Sequence, residues 1–381
     1  MSEYTEVEQP FLQQLAGLGW TVIDQGAGVP QDAAPSLRGH FREWLLPGVF
    51  DSAVRAINRT GNGQAWLTDR QLDDLKSQLL RQPNRTLLEA NEAVQALLFK
   101  AQVEVNEVTG ESDPVVRLID FHNPENNQFH AINQFRIDTP GCVRGFIIPD
   151  IVLFVNGIPL AVVECKKGSE TCANPMQEAF VQLQRYMRKQ ADTELAGLKE
   201  GEPRLFHSSL LLIRSSGTHA DYGTLTSGEE HFYAWKTLHP QDDAGLQGMN
   251  AQQQLIAGLL DRHTLLQILR TSAVFMDTDG GPRIKVMCRY QQFRAAHKIA
   301  QRLRTGATAM ERSGVVWHTQ GSGKSLTMVF LARMLRASTD LNDYKIILVN
   351  ERTDLEDQLG NTATLIGGRV GHFRAILSTI N

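Results

Sequence analysis

Two apolar runs, Ile151 to Val155 and Ile158 to Val163, are separated only by Asn156-Gly157. Runs this continuous predict strands buried on both faces, because a half-exposed strand would alternate apolar and polar positions. Asn-Gly between them signals a hairpin. The period then changes: Gln177 to Gln190, following Pro175, carries Phe180, Leu183 and Met187 at helical spacing. Further helices are predicted near Leu255 to Leu269 and, as an amphipathic segment, over Lys285 to Leu303. A short apolar strand running into a glycine-rich loop and a helix from about Lys324 is expected within Ser313 to Ser325 and beyond, and another strand at Lys345 to Asn350. Polar, glycine-rich breaks at 239–252 and 277–283 divide the α/β chain into residues 1–245, a helical connector over 246–275, and 276–381.

The hairpin carries charges where charges are costly. Asp150 stands just before the first run, and Glu164 and Lys166 end the second. An isolated charge beside an apolar strand needs a partner or a metal. Glu164 and Lys166 flank Cys165 and therefore share a face. Two carboxylates suit magnesium, a hard cation that takes oxygen ligands and keeps several waters. An ammonium beside them can hold a water and offset negative charge developing on phosphorus, so the trio outlines a metal-dependent phosphodiesterase. The outline depends on the turn. A two-residue turn at Asn156-Gly157 would place Asp150 opposite Glu164's face. A three-residue loop of Val155, Asn156 and Gly157, with Gly157 left-handed and Phe154 paired with Ile158, keeps all three side chains together, and this is the turn expected. On the following helix Gln182 and Tyr186 lie four apart, with Arg185, Arg188 and Lys189 nearby, a pattern able to meet a phosphate backbone.

The segment SGVVWHTQGSGKS, Ser313 to Ser325, is a P-loop pattern. Thr319, Gly321, Ser322 and Gly323 form the loop whose backbone N–H groups turn toward phosphates, Lys324 reaches the β- and γ-phosphates, and the Ser325 hydroxyl serves the magnesium of ATP. His318 stands where the usual first glycine would be. Gln292, or Gln291, is the candidate adenine reader upstream, and Tyr290 could stack on the base. After the strand at Lys345, Glu351-Arg352-Thr353-Asp354 occupies the place of a DNA-contacting motif in a RecA-like motor. No acidic pair follows an apolar strand before Asn381, so nucleotide binding without efficient hydrolysis is expected of the chain by itself.

Asp150, Glu164-Cys165-Lys166 and Gln182-x-x-x-Tyr186 resemble the PD-(D/E)xK nuclease core with the Q-x-x-x-Y extension, in its RecB-like branch. The resemblance implies a central mixed sheet flanked by helices, magnesium on Asp150 and Glu164, Lys166 assisting the attacking water, and Gln182 and Tyr186 steadying DNA. Such cores often gain an acidic residue from an early helix, for which Glu8 is the candidate and Glu6 its neighbour. A nuclease core followed by a helicase-type P-loop resembles the R subunit of type I restriction-modification enzymes. Stretches such as TEVEQPFLQQLAGLGW, DFHNPENNQFHAINQF, LLIRSSGTHADYGTL and KVMCRYQQF are similar to that family as well. The family implies a nuclease domain over 1–245 and the first portion of a RecA-like translocase over 276–381, with DNA, ATP, Mg2+, and the methyltransferase and specificity subunits as partners. A non-catalytic docking and nucleotide-binding fragment, or a stand-alone RecB-like nuclease with a vestigial P-loop, are the alternatives.

Composition adds little. A chain of 381 residues with 42% hydrophobic and 21% charged residues can bury two cores. A net charge of -4 neither supports nor excludes DNA, since a local cationic face suffices. The four cysteines have no C-x-x-C spacing and read as reduced thiols. With no bilayer-length apolar run and no signal-like start, a cytoplasmic location is expected.

Overall fold

The computed structural model describes residues 2–349, except 171, 193–196 and 279, together with 365 and 366. The chain divides into two compact units between Gln267 and Ile268. The first is mixed α/β, built on a six-stranded sheet of β1 (Thr21–Ile23), β2 (Phe129–Asn133), β3 (Ile151–Val155), β4 (Ile158–Cys165), β5 (Leu211–Ser215) and β6 (Ala220–Gly223). Neighbours in space are neighbours in this numbering. β1 and β2 run parallel, as do β4 and β5, while the other pairs are antiparallel. Every residue of β3 and β4 is buried, as their unbroken apolar pattern requires.

Helices cover this sheet. A π-helical turn, Tyr4–Glu8, leads directly into α1 (Gln9–Gly17). α2 (Pro47–Ile57) begins with proline at its first turn, and α3 (Asp69–Leu80) and α4 (Leu87–Phe99) begin with capping boxes at Thr68 and Thr86. α5 (Pro175–Tyr186) is capped by Asn174, whose side chain accepts the Gln177 N–H, and it packs on β4 and β5. α6 (Ala251–Leu259) packs against α1 and β6, where Gln14 donates to the Gln253 carbonyl and the Trp20 indole donates to that of Leu260. The stretch 246–275 contains two helices, α6 within the first unit and α7 (Arg262–Thr271), whose residues fall on both sides of the division.

The turn differs from expectation. Asn156 and Gly157 both have positive φ, 50° and 75°, and close a two-residue hairpin of the type I′ kind with Val155 opposite Ile158. Phe154 then pairs with Pro159, but Leu153 pairs with Ala161, leaving Leu160 as an extra residue in β4. This bulge restores the parity that a regular two-residue hairpin would have lost. Ile151 lies opposite Val163, so Asp150 comes to the face of Glu164 after all. Two contacts explain the tight turn. Asn156 is fully buried and donates to the Leu118 carbonyl and to Asn127 Oδ1, while its own Oδ1 accepts the Gln128 N–H. The Gly157 carbonyl accepts the Leu46 N–H, and a Cβ on Gly157 would lie 2.5 Å from the Leu46 carbonyl oxygen.

The predicted helix over Gln177 to Gln190 stops at Tyr186. Met187–Asp192 instead forms a strand antiparallel to Leu198–Gly201, with Arg188 at φ 59°. Gly201 sits so close to the helix end that a Cβ would be 2.2 Å from the Tyr186 carbonyl oxygen, so the partner strand terminates the helix where sequence periodicity could not.

The second unit contains the hairpin β7 (Ala273–Asp277) and β8 (Arg283–Met287), then α8 (Tyr290–Thr305) packed on α9 (Lys324–Ala337). Ala296, Ala300, Met334, Leu335 and Leu341 form their shared core. The strands expected before the glycine loop and at Lys345 are not formed among the described residues. Val315 and Trp317 are 91% and 90% exposed, and Lys345 to Val349 has no ladder partner. A parallel strand gains its stability from neighbours on both edges and covered faces, and none of the described residues supplies them here. Asn350 and the Glu351 to Asp354 motif lie outside the described residues. Among the described residues no helix is long and apolar enough to cross a membrane, and all four cysteines are free thiols.

Candidate active site

The bulged hairpin brings Asp150, Glu164 and Lys166 together. Lys166 Nζ lies 2.6 Å from Glu164 Oε1 and 3.5 Å from Asp150 Oδ2, and it also donates to the Cys165 carbonyl at 2.9 Å. Asp150 Oδ2 accepts the Cys165 N–H at 2.7 Å, which ties the start of β3 to the end of β4. The parallel partner strand secures that end, because the Lys166 N–H donates to the Ser215 carbonyl. Glu164 is fully buried, yet its Oε2 has no hydrogen-bond partner. A buried, unsatisfied carboxylate oxygen is costly unless something else is to bind it.

Glu8 comes in from the π-helical turn and is 3% exposed. Gln134 Nε2 donates to both of its oxygens, at 3.2 and 3.0 Å, and Asn133 Nδ2 lies at 3.5 Å. Gln134 has φ 47° and also donates its N–H to the Asp150 backbone carbonyl, so one residue braces the Glu8 carboxylate and the main chain at Asp150. Glu6 points elsewhere, pairing with Lys167 Nζ at 2.7 Å. Glu3, Glu8 and Asp150 each present a carboxylate oxygen within 4.8 Å of the others. Sequence patterning found neither Glu3 nor Gln134. Nothing in spacing marks a π turn or a left-handed glutamine.

Electrostatics follow from this crowding. Burial, reinforced by Asp150, pushes the Glu8 carboxyl up to about 7 and raises Glu164 well above the usual carboxylate range. Burial pulls the Lys166 ammonium down, but Glu164, Asp150 and Glu3 outweigh it and its pKa is raised. Lys166 is therefore a fixed cation rather than a proton donor at neutral pH. The residues present fit a hard divalent cation: oxygen donors only, an excess of carboxylates over the single ammonium, and one buried oxygen left unsatisfied.

The neighbouring helix α5 carries Gln182 and Tyr186 beside this site. Gln182 Nε2 donates to Tyr186 Oη at 2.6 Å, and that hydroxyl donates to the Ile148 carbonyl at 2.8 Å. Tyr186 is buried, and burial next to Glu164 and Asp150 raises its phenol well above the ordinary value. In this arrangement the pair holds the backbone two residues before Asp150. Arg188 donates to the Gly201 carbonyl and Lys189 to that of Leu225.

In the second unit Gly321 and Gly323 are left-handed, and Gly323 is the N-cap of α9. Lys324 Nζ folds back on the His318 and Thr319 carbonyls, both at 3.2 Å, and Ser322 Oγ donates to Thr319. Gln292 is 3% exposed; it accepts the Arg289 N–H and donates to the Ser322 and Gly323 carbonyls at 3.1 Å. It buttresses the loop from the side of α8. Thr319 is exposed, and Ser325 is half-buried on the first turn of α9.

A mixed sheet whose strand ends gather carboxylates around one lysine defines the class, an α/β protein with a buried acidic cluster. Residues 1–231 match the family described as type I restriction enzyme R protein N terminus, and the chain belongs to that family. Residues 291–375 match the SWI2/SNF2 ATPase family. The chain is 31% identical over 366 residues to the type I restriction enzyme HindI endonuclease subunit of Haemophilus influenzae, covering 95% of this chain and 33% of that protein. It is 25% identical over 384 residues to the putative type I restriction enzyme MjaIXP endonuclease subunit of Methanocaldococcus jannaschii, covering 95% and 34%. The chain thus spans about a third of the length of these curated relatives.

Proposed function

We propose that the first unit is the magnesium-dependent DNA endonuclease module of a type I restriction enzyme R subunit, with a PD-(D/E)xK site made of Asp150, Glu164, Lys166 and Glu8. The observation that carries this reading is the fully buried Glu164 with one unsatisfied oxygen, held 2.6 Å from Lys166 beside Asp150. Asp150, Glu164 and Glu8 would hold the cation, which when bound polarises the phosphoryl oxygen and lowers the pKa of an attacking water. The chain's own residues do the rest. Lys166, kept charged by its carboxylates, offsets the negative charge that builds on phosphorus and positions the water by hydrogen bonding. The Cys165 N–H fixes Asp150, Gln134 fixes Glu8, and Tyr186 holds the backbone leading to Asp150.

The second unit is, in the same reading, the beginning of a RecA-like ATP-binding motor. Thr319, Gly321, Ser322, Gly323 and Lys324 would receive phosphates, Ser325 the nucleotide's magnesium, and Gln292 supports the loop from behind. Methyltransferase and specificity subunits are the proposed partners in the cytoplasm, and the motor of the whole assembly would move the DNA that this module cuts. The test is plasmid nicking with Mg2+ or Mn2+, with and without those subunits. Asp150→Ala and Lys166→Ala should each lower cleavage by at least a hundredfold while the circular dichroism spectrum is kept. Cleavage that survives Lys166→Ala would sink the assignment.

A further inference from the structure

We propose that Gln134 is a positioning residue of the acidic site, kept in a left-handed backbone so that two neighbouring amides converge on Glu8 while its own main chain holds Asp150. The inference rests on the nuclease reading above and deepens it. Gln134 belongs to neither the hairpin triplet nor the early-helix position, and it acts through both.

Strand geometry shows what the backbone angle achieves. Successive side chains on a strand leave from opposite faces. Asn133 ends β2, opposite Ile151 of β3, and Gln134 follows it directly. A regular continuation would point their amides apart. With Gln134 at φ 47°, both arrive at one carboxylate: Gln134 Nε2 lies 3.2 and 3.0 Å from the two Glu8 oxygens, and Asn133 Nδ2 lies 3.5 Å from Oε2. Glu8 is 3% exposed, so these amides stand in for the water that burial removes.

The main chain stays with the sheet meanwhile. The Gln134 N–H donates to the Asp150 carbonyl at 2.7 Å, and the Phe135 N–H donates to that of Pro149 at 3.0 Å. Asp150 is thereby held twice, through its carbonyl by Gln134 and through Oδ2 by the Cys165 N–H. Partners that orient a ligating carboxylate from behind commonly govern metal affinity and activity without touching the reacting atoms.

The conformation is imposed from several sides. A left-handed backbone is disfavoured for a residue with a Cβ and free for glycine. Gln25 donates its N–H to Asn133 Oδ1 and its Nε2 to the Asn133 carbonyl, both at 2.6 Å, and Asn133 Nδ2 also donates to the Gly26 carbonyl at 3.0 Å. On the other side the Arg136 N–H donates to the Gln134 carbonyl at 2.9 Å. Strained residues persist where their surroundings over-determine them, and they gather at functional sites. Glycine would make the same main-chain bonds with less strain. It would lack the amide on Glu8, and that amide is what the glutamine supplies.

The test compares Gln134→Ala, which loses the donor and keeps the strain, with Gln134→Gly, which loses the donor and relaxes the backbone. The readouts are Mn2+ affinity of the nucleotide-free 381-residue chain by calorimetry, melting temperature without divalent cation, and kcat and KM for plasmid nicking with the partner subunits. Both variants should lose about tenfold or more in Mn2+ affinity and, at saturating Mn2+, lower kcat with KM for DNA unchanged. Gln134→Gly should melt above Gln134→Ala. Mn2+ affinity and kcat that stay at wild-type values in Gln134→Ala, or that Gln134→Gly restores, overturn the positioning role and leave the nuclease reading intact. Gln134→Gly melting below Gln134→Ala overturns the strain on which the role stands. Mn2+ binding untouched by Asp150→Asn and Glu164→Gln overturns the nuclease reading and this inference with it.

Discussion

Glu8 shows how one buried carboxylate links folding, pH and metal. Its pKa is about 7 in the folded chain because burial and Asp150 disfavour the anion, against about 4.5 unfolded. A raised carboxyl pKa means the folded state holds the proton more tightly. The contribution is therefore neutral below pH 4.5, becomes a cost as pH rises, and is complete above 7. The cost is on the order of 2–3 kcal/mol. Without divalent cation at pH 8, Glu8→Gln should melt several degrees above wild type, and at pH 5 the difference should shrink; thermal scans at the two pH values check this. Magnesium should reverse the order at pH 8, because it stabilises the wild type through a ligand the variant lacks. Mn2+ affinity of the wild type should also rise between pH 6 and 8, since cation and protons compete for Glu8 and Glu164. A flat profile in calorimetric titrations would remove both carboxylates as ligands.

At the scale of elements, the bulged hairpin carries the site. Gly157 combines a left-handed backbone with a close approach to Leu46 and Phe50 in the first turn of α2. Gly157→Ala should cost about 3 kcal/mol, adding left-handed strain to overpacking. Urea unfolding would show it as a lower midpoint with unchanged slope. The strands themselves were legible from their apolar runs, and so was Asn156-Gly157 as a turn. Turn length and the compensating bulge at Leu160 were not, because both are settled by what the tip packs against: Asn127, Gln128 and Leu118 around Asn156, and α2 around Gly157. The end of α5 was hidden for a similar reason. Met187 keeps helical spacing, and only the strand ending at Gly201 shows why the helix stops.

For the molecule as a whole, two compact units carry two separate chemistries in the proposed reading. Lys324→Ala should weaken binding of a non-hydrolysable ATP analogue at least tenfold by calorimetry while leaving the Mn2+ count of the nucleotide-free chain unchanged. A drop in that count would show that the units are not independent. The second unit was also where local pattern misled most. Val315, Trp317 and the run from Ile346 look like core strands, yet they are exposed here, because an apolar run becomes a sheet strand only when neighbours cover it.

By itself the sequence determined what depends on neighbours along the chain. It marked the buried strands β3 and β4, the shared face of Glu164 and Lys166 across Cys165, a helix following Pro175, and the glycine loop before α9. It also carried the family, through motifs spread over most of its length. Tertiary structure alone decided which side chains meet. Asp150 reaches Glu164 through a bulge, Glu8 and Glu3 reach Asp150 through a π turn, Gln134 braces the Glu8 carboxylate and the Asp150 main chain from a left-handed backbone, and Gln292 turns inward on the loop. Each of these depends on contacts between residues far apart in sequence, whose energies no local period encodes.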